Sequence, residues 1–230
     1  MDGKLVGEAS YRNKKFIFTD RVDDGGLLAS KLRGHVDPSS IVLAIPAGGV
    51  PVGYAISKKL KVPFDVLIVR KIQVPWNPEA GFGAVAWDGT TILNEYLVLR
   101  LGLDHETIQR CLAKTKAIVR ERVKKFRDGR EFPDLKGRTA VLVDDGLASG
   151  FTMLVAVKSV RKTFPKRIIV AVPTSSISAV HLLLPHVDTL VCLNVREEAI
   201  FAVADAYKRW YDLSDEEVLT FLKFSSSKSS

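Results

Sequence analysis

A mainly parallel, doubly wound α/β sheet in a single domain is the architecture this sequence predicts, and three observations predict it. Short runs of continuous apolarity recur at residues 41–45, 64–69, 139–144, 167–173 and 188–195. Unbroken apolarity marks strands covered on both faces, as parallel strands are. Segments with helical spacing lie between or beside these runs, at residues 50–60, 104–126, 151–164 and 175–184. Alternating units of this kind build right-handed crossovers with helices on the sheet's faces. The third observation is composition: 230 residues, 47% apolar and 26% charged, suffice for one substantial core.

Taken in order, an amphipathic helix over residues 22–32 precedes the first core strand. That strand, IVLAI, runs into IPAGGVPVG (45–53), where Pro51 suits the first turn of the helix that follows. The strand FDVLIV (64–69) ends on a basic pair, Arg70 and Lys71. Residues 70–94 hold two prolines and several glycines, and they read as an extended loop or hairpin that projects as a lid. Within it GFGAVA (81–86) imitates a dinucleotide-binding fingerprint, but no strand precedes it and no helix follows. The helix over 104–126 places Ile118, Val119, Val123 and Phe126 on one stripe and cations elsewhere. After the last strand comes an aromatic-rich hood, about residues 195–224, containing FAVADAYKRWYDL. Ser214 with Glu217 forms a capping-box signature for a final helix. The domain therefore spans residues 1–224, and SSSKSS (225–230) reads as a disordered tail.

The formal charge of +8, from 34 Lys and Arg against 26 Asp and Glu, favours anionic partners: nucleic acid, nucleotides or phosphorylated metabolites. The basic run 114–130 reads either as a solvated helix face or as an RNA- or DNA-binding patch. Cys111 and Cys192 form no C-x-x-C pattern, which speaks against a disulfide framework or a zinc site. The four histidines, His35, His105, His181 and His186, share no motif and read as surface or capping residues. Residues 1–15 lack the apolar stretch of a signal peptide, and no apolar run approaches the ~20 residues of a membrane span. The expectation is a soluble, cytoplasmic protein without a membrane partner.

The most informative stretch is AVLVDDGLASGFTM (140–153), in which a buried strand ends on Asp144 and Asp145 before a loop of small and hydroxylated residues. Ligands of open parallel sheets bind outside the carboxyl ends of the strands. The loop opens a helix, whose first N–H groups lack internal partners and attract anions. Gly150 lets an anion approach the backbone, while Ser149 and Thr152 offer hydroxyls. Two acids beside an anion cradle suit a ribose 5-phosphate, with the sugar hydroxyls on the carboxylates and the phosphate in the cradle.

This stretch resembles the PRPP-binding signature of the type I phosphoribosyltransferases. IPAGGVPVG resembles the family's diphosphate loop, and VRKI resembles the basic pair where the flexible loop of adenine-type members begins. The likeness extends from about residue 16 to 222 and is nearest a branch of bacterial and archaeal phosphoribosyltransferases, through FTDRVDDGGLLASKL, LNEYLVLRLGL and SDEEV. That branch usually has Arg where Ala47 stands, so only backbone donors remain there. The resemblance implies an enzyme of nucleotide salvage: transfer of the 5-phosphoribosyl group of PRPP to a nitrogen nucleophile, a nucleobase and preferably a purine, with release of diphosphate. It implies catalytic roles for Asp144, Asp145, Arg70 and Lys71, and PRPP binding by Ala47, Gly48, Gly49, Gly146, Leu147, Ala148, Ser149, Gly150, Phe151 and Thr152. Mg²⁺ would sit on Asp144 and Asp145, directly or through water. Phe201, Trp210 and Tyr211 would stack on the base, or else serve as core or dimer contacts. Hypoxanthine–guanine enzymes carry an acid where Ala148 stands, so their base chemistry is not implied. A homodimer is expected. The competing reading is a PRPP-sensing, nucleic-acid-binding regulator of the same fold.

Overall fold

Valine, isoleucine and leucine dominate the strands at the centre of the molecule, and these side chains fit a pleated surface covered on both sides. The computed structural model describes residues 3–198 and 201–226. Strands β1 (Lys4–Gly7), β2 (Ile41–Ala44), β3 (Phe64–Val66), β7 (Thr139–Val143), β8 (Arg167–Ser176) and β9 (Thr189–Arg196) form one parallel sheet in the order β1-β9-β8-β7-β2-β3. All residues of β2 and β7 are buried.

Successive residues of β2 and β7 feed opposite layers, as the two-residue period of a strand requires. Leu43 and Leu142 join Met153 and Val157 of α5 (Phe151–Arg161) and Val180 of α6 (Ile177–Leu183) on one face. Val42, Val141 and Val143 meet Leu28 and Leu32 of α1 (Arg21–Leu32) and Val52 and Ile56 of α2 (Gly49–Leu60) on the other. Each such side chain contributes ~1.5–3 kcal/mol through burial, so the sheet is doubly wound because both of its faces need cover.

The run at residues 64–69 proves to be two strands in different sheets. β3 ends at Val66, Leu67 and Ile68 are buried between, and β4 (Val69–Val74) starts a second, antiparallel sheet with β5 (Asn77–Ala86) and β6 (Thr91–Leu93). Apolarity alone cannot locate that crossing, because both strands are covered. The projecting segment is thus a three-stranded hairpin sheet packed on its own core: Ile72, Phe82 and Val85 meet Val119 and Phe126 of α4 (His105–Arg127) and Val218 of α7 (Asp215–Ser226). A short helix, α3 (Glu95–Arg100), joins β6 to α4.

Part of the basic run on α4 is structural. Arg127 is buried against Asp65 of β3 at 3.1 Å, while Arg122 and Lys125 hold Asp215 of α7 at 2.6 and 2.8 Å. Breaking a buried pair such as Arg127–Asp65 costs ~3–5 kcal/mol. The capping box forms, with Ser214 N–H donating to Glu217 Oε2 at 2.9 Å and Glu217 N–H to Ser214 Oγ at 3.2 Å. Some boundaries differ from the sequence expectation. β8 continues past Pro173 because Thr174, Ser175 and Ser176 still pair with β9, which shortens α6 from its start. α5 ends at Arg161, followed by a turn in which Phe164 adopts φ 55°. β1 carries too little apolar signal to be foreseen and is a mostly exposed edge strand. α7 reaches Ser226, two residues into the expected tail, and the rest of that tail lies outside the described residues.

Candidate active site

Capping separates two helices from the rest. Side chains cap α1, α3, α4 and α6 through Asp20, Asn94, Asp104 and Ser176, and Ser214 caps α7. α2 and α5 begin instead at Gly48 and Gly150, without a side-chain cap and without an acid in the first turn. These are the helices that follow β2 and β7, adjacent strands at the centre of the sheet. Their positive ends therefore flank the carboxyl edge on which Asp144 and Asp145 sit.

The backbone is open where an anion would approach. Among the described residues, the N–H groups of Ala47 and Gly48 have no hydrogen-bond partner, and neither do those of Ala148, Ser149, Gly150, Thr152 and Met153. Phe151 N–H makes only a long contact, 3.5 Å, to Ser149 Oγ. Gly150 adopts φ +78°, a left-handed conformation that glycine takes without strain. Leu147 has a different role: its N–H and C=O are both taken by β8, through Thr174 O and Ser176 N–H, and its side chain lies in the core. It anchors the loop, and Ser176 Oγ adds a 2.6 Å bond to Ala148 O.

The two loops meet at the acids. A Cβ on Gly48 would fall 1.9 Å from Asp145 Oδ2, and one on Gly49 2.9 Å from Asp144 Cα. Glycine here is a requirement of that close approach. Gly146 is equally confined, with Val203 of the hood and Thr174 against it. The Pro46–Ala47 peptide is cis. Asp144 Oδ1 accepts the Asp145 N–H at 2.9 Å. Burial and the Asp145 charge push the Asp144 carboxyl well above the usual range. Burial raises Asp145 as well, with Arg21 opposing the rise.

Arg21 is the residue that sequence reasoning missed. It is 6% exposed, donates from Nε to Asp145 Oδ2 at 2.9 Å, and donates a second bond to Tyr211 O at 2.9 Å. Its guanidinium lies 4.0 Å from the Trp210 ring centroid, a cation–π contact. Tyr207 completes the cluster by donating its hydroxyl to Asp145 O at 2.7 Å. Asp24, one turn along α1, is fully buried, and neither of its carboxylate oxygens has a hydrogen-bond partner among the described residues. Burial holds its carboxyl well above the usual range, partly offset by the nearby Tyr207 hydroxyl. FTDR stands out in the sequence, but nothing local indicates that Arg21 reaches a residue so distant in the chain.

Other expected residues lie apart. Trp210 and Tyr211 flank Arg21, and Tyr211 lines a cavity of about 280 Å³ with Pro51 of α2 and Phe221 of α7. Phe201 instead packs on Arg196 at the end of β9, 5.8 Å from guanidinium to ring centroid. Lys71 Nζ donates to Glu79 O at 2.7 Å on its own hairpin, and Arg70 lines a cavity against α4. Among the described residues, no hydrogen bond or ion pair joins that basic pair to the acids. No helix among them is long and apolar enough to cross a membrane.

Comparison with known proteins agrees with this arrangement. The model of the phosphoribosyl transferase domain matches residues 20–205. Two Mycobacterium tuberculosis proteins, from strains H37Rv and CDC 1551 and provisionally named phosphoribosyl transferases, are each 37% identical over 206 residues, 90% of this chain. The chain spans 46% of their length. The crystal structure of TT1426 from Thermus thermophilus superposes with a TM-score of 0.73 at 35% identity, covering 89% of this chain and 97% of that one. With this match over most of its length, and with an acid pair set between two uncapped helices, the chain belongs to the phosphoribosyltransferase family.

Proposed function

We propose that the protein transfers the 5-phosphoribosyl group of PRPP to a nitrogen nucleophile, a nucleobase and preferably a purine, releasing diphosphate. The observation that carries this reading is the position of Asp144 and Asp145 between two helix N-termini that no side chain caps. The α5 cradle, residues 148–152, would take the 5-phosphate on open N–H groups and the Thr152 hydroxyl. Ala47 and Gly48 would offer N–H groups to the diphosphate. The acids would accept the ribose 2′ and 3′ hydroxyls and stabilise the positive charge that develops on the sugar ring as diphosphate leaves. Preorganised contacts of this kind contribute ~10²-fold or more each.

The residues present fit Mg²⁺. Burial disfavours two neighbouring carboxylates as anions, and a divalent cation would relieve that penalty. No group of three or more potential ligands exists among the described residues, which suits a cation that keeps water and substrate oxygens in its shell. Asp144 and Asp145 would hold it directly or through water, and when bound it supplies charge neutralisation for the diphosphate.

Arg70 and Lys71 would approach the leaving diphosphate when the hairpin moves towards the sheet edge, and the same movement would exclude water. The acceptor's place is the cavity beside Arg21 and Tyr211, next to the first turn of α2. We further propose a cytoplasmic homodimer. The test is diphosphate release from PRPP and Mg²⁺ across a panel of purines, pyrimidines and simple amines. Turnover with one class supports the reading, and silence across the panel overturns it.

A further inference from the structure

The hairpin and α4 flank a cavity whose lining includes neither Asp144 nor Asp145. Its volume is about 340 Å³, within the range of small-molecule sites, ~300–1,000 Å³. Four cations surround it, Arg70 and Lys71 from β4 and Arg110 and Lys114 from α4, and no carboxylate is among the lining residues. The floor is apolar, with Val74 and Ile118. Arg70 is half-buried and, among the described residues, makes no hydrogen bond or ion pair. Arg122 and Asp215, whose charges act on it, are paired with each other. Lys114 likewise has no partner among the described residues, whereas Lys71 is anchored on the hairpin by the Glu79 carbonyl and lies 3.8 Å from the exposed Glu79 carboxylate.

Like charges converging on a concave surface repel one another unless an anion joins them. The walls come from two elements that pack together through the hydrophobic cluster beneath. Arg122, Lys125 and Arg127 further along α4 are tied to carboxylates within the fold, so the cations that converge on the cavity are a separate group.

We propose that this cavity is a second anion site, distinct from the acid pair, that takes a small organic polyphosphate: phosphates on the four cations and an apolar or ring portion on the floor. Occupancy holds Arg70 and Lys71 against α4. Insofar as those two clamp diphosphate, which rests on the function proposed above, the ligand slows transfer.

Cys111 lines the same cavity and is partly exposed, whereas Cys192 is fully buried with its thiol pushed up to about 12. Alkylation therefore reports on the cavity with an internal control. The experiment titrates the full chain with inorganic tripolyphosphate, and separately with ATP, in saturating PRPP and Mg²⁺. Heat of binding and the rate of iodoacetamide modification at Cys111 are both read. The expected result is binding with at least about tenfold protection of Cys111 at saturation, weakened by salt and lost in Arg110→Ala/Lys114→Ala, while PRPP binding is unchanged in that variant. Protection by ATP alone assigns the site to nucleotides, and protection by both assigns it to the phosphate chain. No binding heat, binding that survives the double variant, or a response to polyuridylate but to neither polyphosphate would overturn the proposal. If PRPP fails to bind while tripolyphosphate still protects Cys111, the function proposed above fails and the anion site stands.

Discussion

Asp145 carries three demands at once: it faces the Ala47–Gly49 loop across Gly48, accepts the Arg21 guanidinium, and lies next to a second, partly buried acid. Asp145→Asn keeps an acceptor for Arg21 and nearly the same volume, so the fold should survive. Diphosphate release should fall by ~10²-fold or more, and full turnover in the variant would assign the acids another role. Asp24 tests the buried cluster differently. Its folded pKa lies above the unfolded value of about 3.9, so the folded state holds the proton more tightly. The stability this confers is complete below pH ~4 and is lost as pH rises through the raised folded pKa. Asp24→Asn should therefore unfold at a higher temperature than the parent at pH 8, by ~1–3 kcal/mol, with the gap closing near pH 4. A gap independent of pH would show that Asp24 does not titrate with folding.

At the scale of elements, the site is made by two strand–loop–helix units whose helices start on glycine. Gly48→Ala places a methyl group 1.9 Å from the Asp145 carboxylate, so the carboxylate or the loop must move. PRPP affinity should drop by ~10-fold or more while circular dichroism stays native; undiminished binding in calorimetry would mean the loop is not part of the sugar-phosphate site. Thr152→Val removes one hydroxyl from the cradle and should weaken PRPP by about 5- to 10-fold without altering affinity for a free base. Equal losses for both would put the phosphate elsewhere. Both units were legible in the sequence, because Asp144–Asp145 and Gly48–Gly49 follow apolar runs directly and the φ +78° of Gly150 suits the residue type. What local pattern could not give was the partner of each acid. Arg21 reaches Asp145 through the packing of α1 beside α2, a long-range contact with no periodicity to announce it. The break between β3 and β4 was hidden for a related reason: Leu67 and Ile68 belong to neither strand yet are buried, with Leu67 N–H donating to Ala44 O and Ile68 O accepting from Trp87 N–H.

For the whole molecule, the sheet edge carries the acids while the hairpin packs on α4 and the hood packs beside the acids. The hood is tied to the acids through Arg21, which bonds Asp145 and Tyr211 O and lies over Trp210, and through the Tyr207 hydroxyl on Asp145 O. The hairpin is tied to α4, and α4 to α7 through Arg122, Lys125 and Asp215. Part of the positive charge that suggested a nucleic-acid surface, Arg122, Lys125 and Arg127, thus serves internal pairing. The measurement that tests the central claim most directly is a crystal structure of the full chain with PRPP and Mg²⁺. The ribose hydroxyls should lie on Asp144 and Asp145 and the 5-phosphate on the backbone of residues 148–152. A sugar phosphate bound away from that loop, or electron density for none at saturating PRPP, would contradict it.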